Sequence, residues 1–502
     1  MRVGLAGIYI TSLCLLTGAS FASYTLTLSA ALYQTLQHNP SIKLQKQTVY
    51  SKQGLLQKEQ GAFDPSFTTS ANYDHTESPL LASQDTLYGL TINRQTDYGY
   101  DAAVSETFEN GIIVAPSLTL THAESTIRNV TGVEPQNNAD LSFKVTIPFL
   151  KGRDASYDLR AAQFTYQSSK DKLVYEMSKN ALGTILAYWD CKVASENLEI
   201  YKDSEARAEQ LLINTKKLIA ADEMPAANLK LVSANYYSKK ASRINAEESL
   251  IAAKEALASS IGINALSDSQ LPNAISSFPP VDKEKITKYA NVSHYISYSL
   301  THRQDLLAQE NTVAANKLKL EKASNDKKDT LNLDVTAGYA SLHEGEKVYQ
   351  ALDEKDLSGP KAGAEITYKF YFGNNATTGA LKDTIAQLEK SKIDLWDLIR
   401  EMRLDIMLSS SGLQTSVSQL EASLLSVDDY DATVKNETKK ANLGVSTLID
   451  VINTENDLRN AELSRISNQA DYSKFLAKFA FNSGFLITPD QGVYRVSIKS
   501  IM

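Results

Sequence analysis

The chain has little of what would mark it as an enzyme, a nucleic-acid binder or a disulfide-held secreted module. Its two cysteines are Cys14, inside an N-terminal apolar segment, and Cys191. Once that segment is removed no internal disulfide is available, and packing alone must hold the fold. Among 502 residues, glycine and proline number only 22 and 12, which leaves long helices uninterrupted. Positive charge is in deficit, with a net charge of −8 and a pI near 5.5, so no nucleic-acid partner is expected. Beyond residue 22 no apolar run reaches the roughly 18 residues that a membrane helix needs. If the chain spans a membrane, it does so with strands. His38, His75, His122, His294, His302 and His343 are scattered without metal-ligand spacing, and there is no Walker loop or G-x-S-x-G elbow. No metal, cofactor or catalytic residue is expected.

What is present begins with targeting. Arg2, the apolar run Ile8 to Leu16 and the small-residue end Ser20-Phe21-Ala22 are the three parts of a secretory signal peptide, residues 1–22. Leu13 stands before Cys14 where lipidation needs a small residue, which disfavours a lipoprotein.

The period of the apolar pattern then alternates between two values. Leu28 to Gln60 is helical, with Ala31, Leu32, Leu36, Ile42 and Leu44 recurring at mostly helical spacing. After Phe63-Asp64-Pro65 the period becomes two: Phe67 to Tyr73, Tyr88 to Ile92, Tyr98 to Phe108, Ile112 to Leu120 and Leu141 to Phe149 read as strands. Past Gly152 a helix of about 65 residues is predicted, far longer than a compact domain holds. A break at Ala220 to Pro225 separates it from a second helix over residues 226–261. The Pro- and Ser-bearing stretch 263–288 reads as a linker.

The second half repeats the first. Tyr295 to Leu320 is helical, Leu331 to Leu342 and Ala364 to Phe372 alternate, and helices are predicted over 374–440 and 447–483, with a tail at 485–502. VTIPFLKG at Val145 matches ITYKFYFG at Ile366 at a shift of about 221, and LQHNPSI at Leu36 matches LTHRQDL at Leu300 at about 264. The repeats are thus 23–262 and 289–484. About 43 extra residues fall between Thr76 and Ala139 in the first, as an added hairpin or an elaborated surface loop. Trp189 and Trp396 take similar places in the long helices and read as core. Tyr73, Tyr88, Tyr98, Tyr339, Tyr368 and Phe370 suit either a membrane-interface girdle or ordinary sheet packing.

Strands with one apolar and one polar face fit a barrel wall or half of a soluble sandwich, and the signal peptide tips the reading to the barrel. Four to six strands cannot close one alone, and lipid does not tolerate an open edge, so several copies would have to share it. The helices need neighbours too, as coiled-coil walls do.

The opening LTLSAALYQTLQHNPSI (Leu26 to Ile42), IPFLKG (Ile147 to Gly152), SLTHRQDL (Ser299 to Leu306) and NLGVSTLIDVINTENDLRNAE (Asn442 to Glu462) together resemble the TolC-like outer-membrane efflux proteins. The resemblance implies an α+β membrane protein: a homotrimer whose protomers each give about four strands to one transmembrane β-barrel, continued by a long α-helical periplasmic tunnel. It implies a passive channel in the outer membrane of a Gram-negative bacterium. Its partners would be outer-membrane lipid, a periplasmic adaptor and an inner-membrane transporter, in efflux or type I secretion. It places the periplasmic gate at the turn after the second long helix, with Asp450 matching an acidic ring and Asn453 standing where a second Asp would be. Ala441 and Ser446, on either side of Gly444, replace the Tyr and Arg that lock such a tip. Three Asp450 carboxylates around an axis would favour cations and raise one another's pKa values; otherwise Asp450 is an acid at a helix N-terminus. The rival readings are a non-channel coiled-coil protein of the periplasm or cell surface, and an envelope hydrolase.

Overall fold

The structure, a computed structural model, describes residues 24–264, 270–352, 357–443, 445–490 and 493–497. The signal peptide and Gly444 lie outside the described residues. The chain divides into two compact units, one gathering Met1–Leu44, Val174–Arg303 and Glu401–Met502, the other Gln45–Leu173 and Gln304–Arg400.

The second unit contains an antiparallel meander of β2 (Ser66–Pro79), β3 (Ile92–Thr107), β4 (Ile113–Ser125), β5 (Gln136–Pro148), β7 (Thr330–Glu344) and β8 (Leu357–Lys369), in the order β2-β3-β4-β5-β7-β8. Where about four strands were expected there are six. The extra residues of the first half supply β3 and β4, so they are strands and not a surface loop. Tyr88 to Ile92 is not a strand: α3 (Ala82–Tyr88) ends there, at Gly89 in the left-handed conformation, φ 68°, and β3 begins only at Ile92. The register puts like with like. Leu120 faces Tyr100 and Ala139, Leu141 faces Leu118 and Tyr339, and Leu333 faces Ile147 and Ile366, all on one face. The opposite face carries Ser70, Asp101, Ser117, Ser142, Lys144, Asp334 and Lys361. Its pairs include Ser117–Ser142 at 2.8 Å, Lys144–Asp334 at 3.5 Å and a Lys361–Asp140 ion pair. Pro116, which has no N–H, sits where the β3–β4 ladder is interrupted between Ser117 and Val114. The β3–β4 turn is tight. Gly111 has φ 79°, and a Cβ there would lie 1.9 Å from the Gly152 carbonyl oxygen.

Helices of the same unit pack side by side. Ser168 of α5 (Tyr157–Ala220) donates to the Ala308 carbonyl of α9 (Gln304–Asp326) at 2.8 Å, and Asn311 of α9 donates to Asp171 at 2.8 Å. Gln309 reaches the Ser391 carbonyl of α10 (Asn375–Asn442) at 3.0 Å. No helix among the described residues is long and apolar enough to cross a membrane.

The first unit is held by two similar cores. In one, α1 (Leu28–His38) lies on α5 and α6 (Asn228–Ile261), burying Leu28, Leu32, Ile185, Tyr188, Leu257 and Ile261. Tyr188 donates to the Leu26 carbonyl at 2.9 Å, and Trp189 stacks on Phe278. In the other, α8 (Val292–His302) lies on α10 and α11 (Leu448–Asn482), with Tyr295, Ile296 and Leu300 against Met402, Ile406 and Phe479. Gly412 lets α11 approach: a Cβ there would meet the Phe475 ring at 2.3 Å.

Three further expectations are corrected. The helix over Leu28 to Gln60 is two, α1 and α2 (Pro40–Gln60), because Asn39 precedes a proline and leaves the helical region at ψ 126°. The stretch 263–288 is not a bare linker: it holds β6 (Asn273–Ala274), which pairs parallel with β1 (Thr25–Leu26), and most of α7 (Lys283–Tyr289). Trp396 is not core within the chain. It is 65% exposed, whereas Trp189 is fully buried.

Candidate functional site

The turn between α10 and α11 is closed from both sides. The Val445 N–H reaches back to the Lys440 carbonyl at 2.9 Å, a bond that satisfies an end-of-helix acceptor. Thr447 then caps α11 in an extended conformation, φ −91° and ψ 156°. Its hydroxyl accepts from the Asp450 N–H at 3.2 Å, while the Asp450 carboxylate accepts from the Thr447 N–H at 3.2 Å and hydroxyl at 2.6 Å. This is a reciprocal capping box with Asp in the role of the usual Glu.

Ser446 hydrogen-bonds Glu437 and lies 3.4 Å from Asp450 Oδ2, so it bridges two carboxylates across the turn. Lys440 pairs with Glu437 at 3.1 Å. The Thr447 hydroxyl and N–H hold the Asp450 carboxyl below its ordinary pKa, helped by Ser446 and Lys440. Donation from Ser446 and Lys440 does the same for Glu437 against repulsion from Asp450. Both are therefore anionic at neutral pH, and their contribution to the turn is lost only as pH falls through those lowered values.

Asp450 and Asn453 are both exposed, one turn apart on α11. Ala441 and Ser446 are half-buried. Leu443, Val445 and Ile449 are exposed apolar residues at the same turn. The structure thus gives Asp450 the helix-capping role, and Ser446 a bridging role that sequence reasoning did not assign.

Sequence reasoning also missed a half-buried charge cluster that ties α11 to α5 and α6. Arg207 on α5 donates to Glu455 at 2.6 Å and lies 3.7 Å from Glu462. Lys239 on α6 is only 4% exposed and hydrogen-bonds Asn456. Burial first, then repulsion from Arg459 and Arg207, lowers its pKa to about 8, against attraction by Glu455. Burial raises the pKa of Glu462. Arg207, Lys239 and Glu455 line a cleft of about 200 Å³ together with Ser204, Leu211 and Asn214. The available signal was Glu455 and Glu462 seven residues apart on one face of a helix otherwise apolar there. Cys191 is buried, and burial pushes its thiol above the ordinary range.

No family-wide sequence profile matches the chain. Over 294 residues it is 24% identical to the proteases secretion protein PrtF of Dickeya chrysanthemi, a match covering 58% of this chain and 61% of that protein. The chain therefore spans less than two thirds of this relative. Its fold is that of solved outer-membrane proteins. The outer membrane protein VceC of Vibrio cholerae superposes with a TM-score of 0.66 at 14% identity, covering 91% of this chain and 96% of that one. The CmeC outer membrane channel of Campylobacter jejuni gives 0.66 at 13%, covering 91% and 85%. The open-state MtrE channel of Neisseria gonorrhoeae gives 0.61 at 14%, covering 91% and 88%. The fold agrees with the one implied by the TolC-like resemblance read from the sequence, and two of these neighbours are described as outer-membrane channels.

Proposed function

We propose that this protein, which has the TolC-like fold, is a passive outer-membrane channel that exports cargo handed to it by an inner-membrane transporter, in efflux or type I secretion. The observation that carries this reading is the sheet. One chain combines long helices with strands that are apolar on one face and polar on the other, and whose outer edges β2 and β8 pair on one side only. A lipid-facing wall needs such alternation, and a six-stranded open sheet needs further copies to close it. The protein is a homotrimer built from the repeats 23–262 and 289–484, and a periplasmic adaptor engages its helical tips. The likeness to a protease secretion protein favours polypeptide cargo.

At the tip, Asp450 and Asn453 line the gate. The capping box fixes Asp450 as an anion, so three copies around an axis attract cations. The channel reading predicts a heat-stable trimer in the outer-membrane fraction that conducts in planar bilayers. A soluble, non-conducting monomer would sink it in favour of a structural coiled coil. Asp450→Ala weakens block by multivalent cations, and unchanged block and selectivity would remove Asp450 from the gate.

A further inference from the structure

The edges of the sheet specify more than oligomerisation. Every residue of β2 is exposed. At the other edge, Gly359 and Gly363 of β8 have open space where a Cβ would stand. Because the meander holds an even number of strands, β2 and β8 run in opposite directions. Rotated copies can then meet head to tail with every pair antiparallel.

The register of that meeting is constrained. Register partners lead straight across the sheet from Asn72 through Gly99, Thr121, Asn138 and Leu342 to Leu357. Leu357 begins β8, so a seam without stagger would leave half of each edge unpaired. Sliding by about six residues, to Asn72 opposite Gly363, brings all of β8 beside β2. An even slide is also required to keep Phe67, Ala71 and Tyr73 on the same face as Ala362, Ala364 and Ile366. Six residues at about 3.3 Å, set against six strands at about 4.8 Å, make a strand tilt of about 35°, the value membrane barrels adopt.

We propose that β2 of one copy pairs with β8 of the next, Asn72 opposite Gly363, so that three copies close an eighteen-stranded barrel. The copy number rests on the channel reading above; the seam rests on the sheet itself. Such a barrel is about 34 Å across between backbones, against about 22 Å for the twelve strands that four per copy would give.

The test is disulfide trapping in the full-length protein carrying Asn72→Cys and Gly363→Cys. Cys191 is buried with its thiol protonated, so it contributes no background. Oxidised outer membranes are expected to give a reducible ladder ending at three copies. Asn72→Cys with Gly359→Cys, offset by four residues, is expected to give at least tenfold less. A fast-migrating monomer disulfide, a ladder ending at two copies, or equal trapping by the offset pair would each overturn the inference. Bilayer conductance of the unmodified protein separates the failures. Conductance with any of those results leaves the channel reading standing, and its absence, with no membrane integration, removes that reading as well.

Discussion

The two halves of the chain lay out the same elements in the same order and differ at three places. Thr35 in α1 and Ser299 in α8 are both fully buried hydroxyls that donate to the carbonyl four residues before them, at 2.9 and 2.6 Å. Each is followed four residues on by a helix break, at Asn39 and Arg303. Between their helices, however, the first half carries four strands and the second two. A helix core surrounded by neighbours cannot accept an insertion without losing its packing. A meander can accept a hairpin, because two added strands leave the directions of both edges unchanged.

The second difference is chemical. Both halves have an apolar helix core, built around Met402, Ile406 and Phe479 in the second, but α5 and α6 of the first also meet α11 through the charges Arg207, Lys239 and Glu455. Their tips also diverge. Glu223 closes the first through a bond to the Leu218 carbonyl, with Asp222 before it at φ 63°. In the second tip the matching bond runs from the Val445 N–H to the Lys440 carbonyl.

Removing Ile92–Ser125 makes the strand counts of the halves equal and has the largest expected effect. The seam strands survive, so Asn72→Cys and Gly363→Cys still trap trimers, but the ring imaged by electron microscopy shrinks in diameter by about a third. Phe479→Ala opens a cavity in the second-half core and is expected to cost about 3–5 kcal/mol in thermal or denaturant unfolding. Lys239→Met tests the charged side of the comparison. A folded pKa of about 8 means that the unfolded state binds the proton more tightly, so stability rises with pH from about 8 towards 10.5. The substitution should raise the unfolding temperature at pH 7, by an energy of order 1–3 kcal/mol, and the advantage should fade by about pH 10. The smallest effect is expected at Asp222→Gly, which relieves a left-handed residue and stabilises by up to about 1 kcal/mol, read from the denaturation midpoint.

The long helices and the faces of the strands were legible because each is written in a local period. Pattern changes at Gly152 and Gly373 are where sheet gives way to helix. The strand count was less legible. Tyr88 to Ile92 alternates by chance across a helix end, and a surplus of 43 residues says nothing about whether it pairs. At the candidate site the turn and Asp450 could be read from Gly444 and the spacing after it. The bridge from Ser446 to Glu437 could not, nor the salt bridge from Arg207 to Glu455, since both join residues whose proximity only the folded chain decides. Trp396 shows the converse: a tryptophan at a core-like spacing in one chain stands exposed when no neighbour covers it.

The paired edges also have a genetic consequence. In the closed ring each copy uses β2 towards one neighbour and β8 towards the other, so a copy with a ruined β8 still takes up a partner's place through β2. A cell making sound and damaged copies in equal amounts would complete only about one ring in eight. Lesions in β8 should therefore behave as dominant, while those that prevent the chain from folding at all should be recessive.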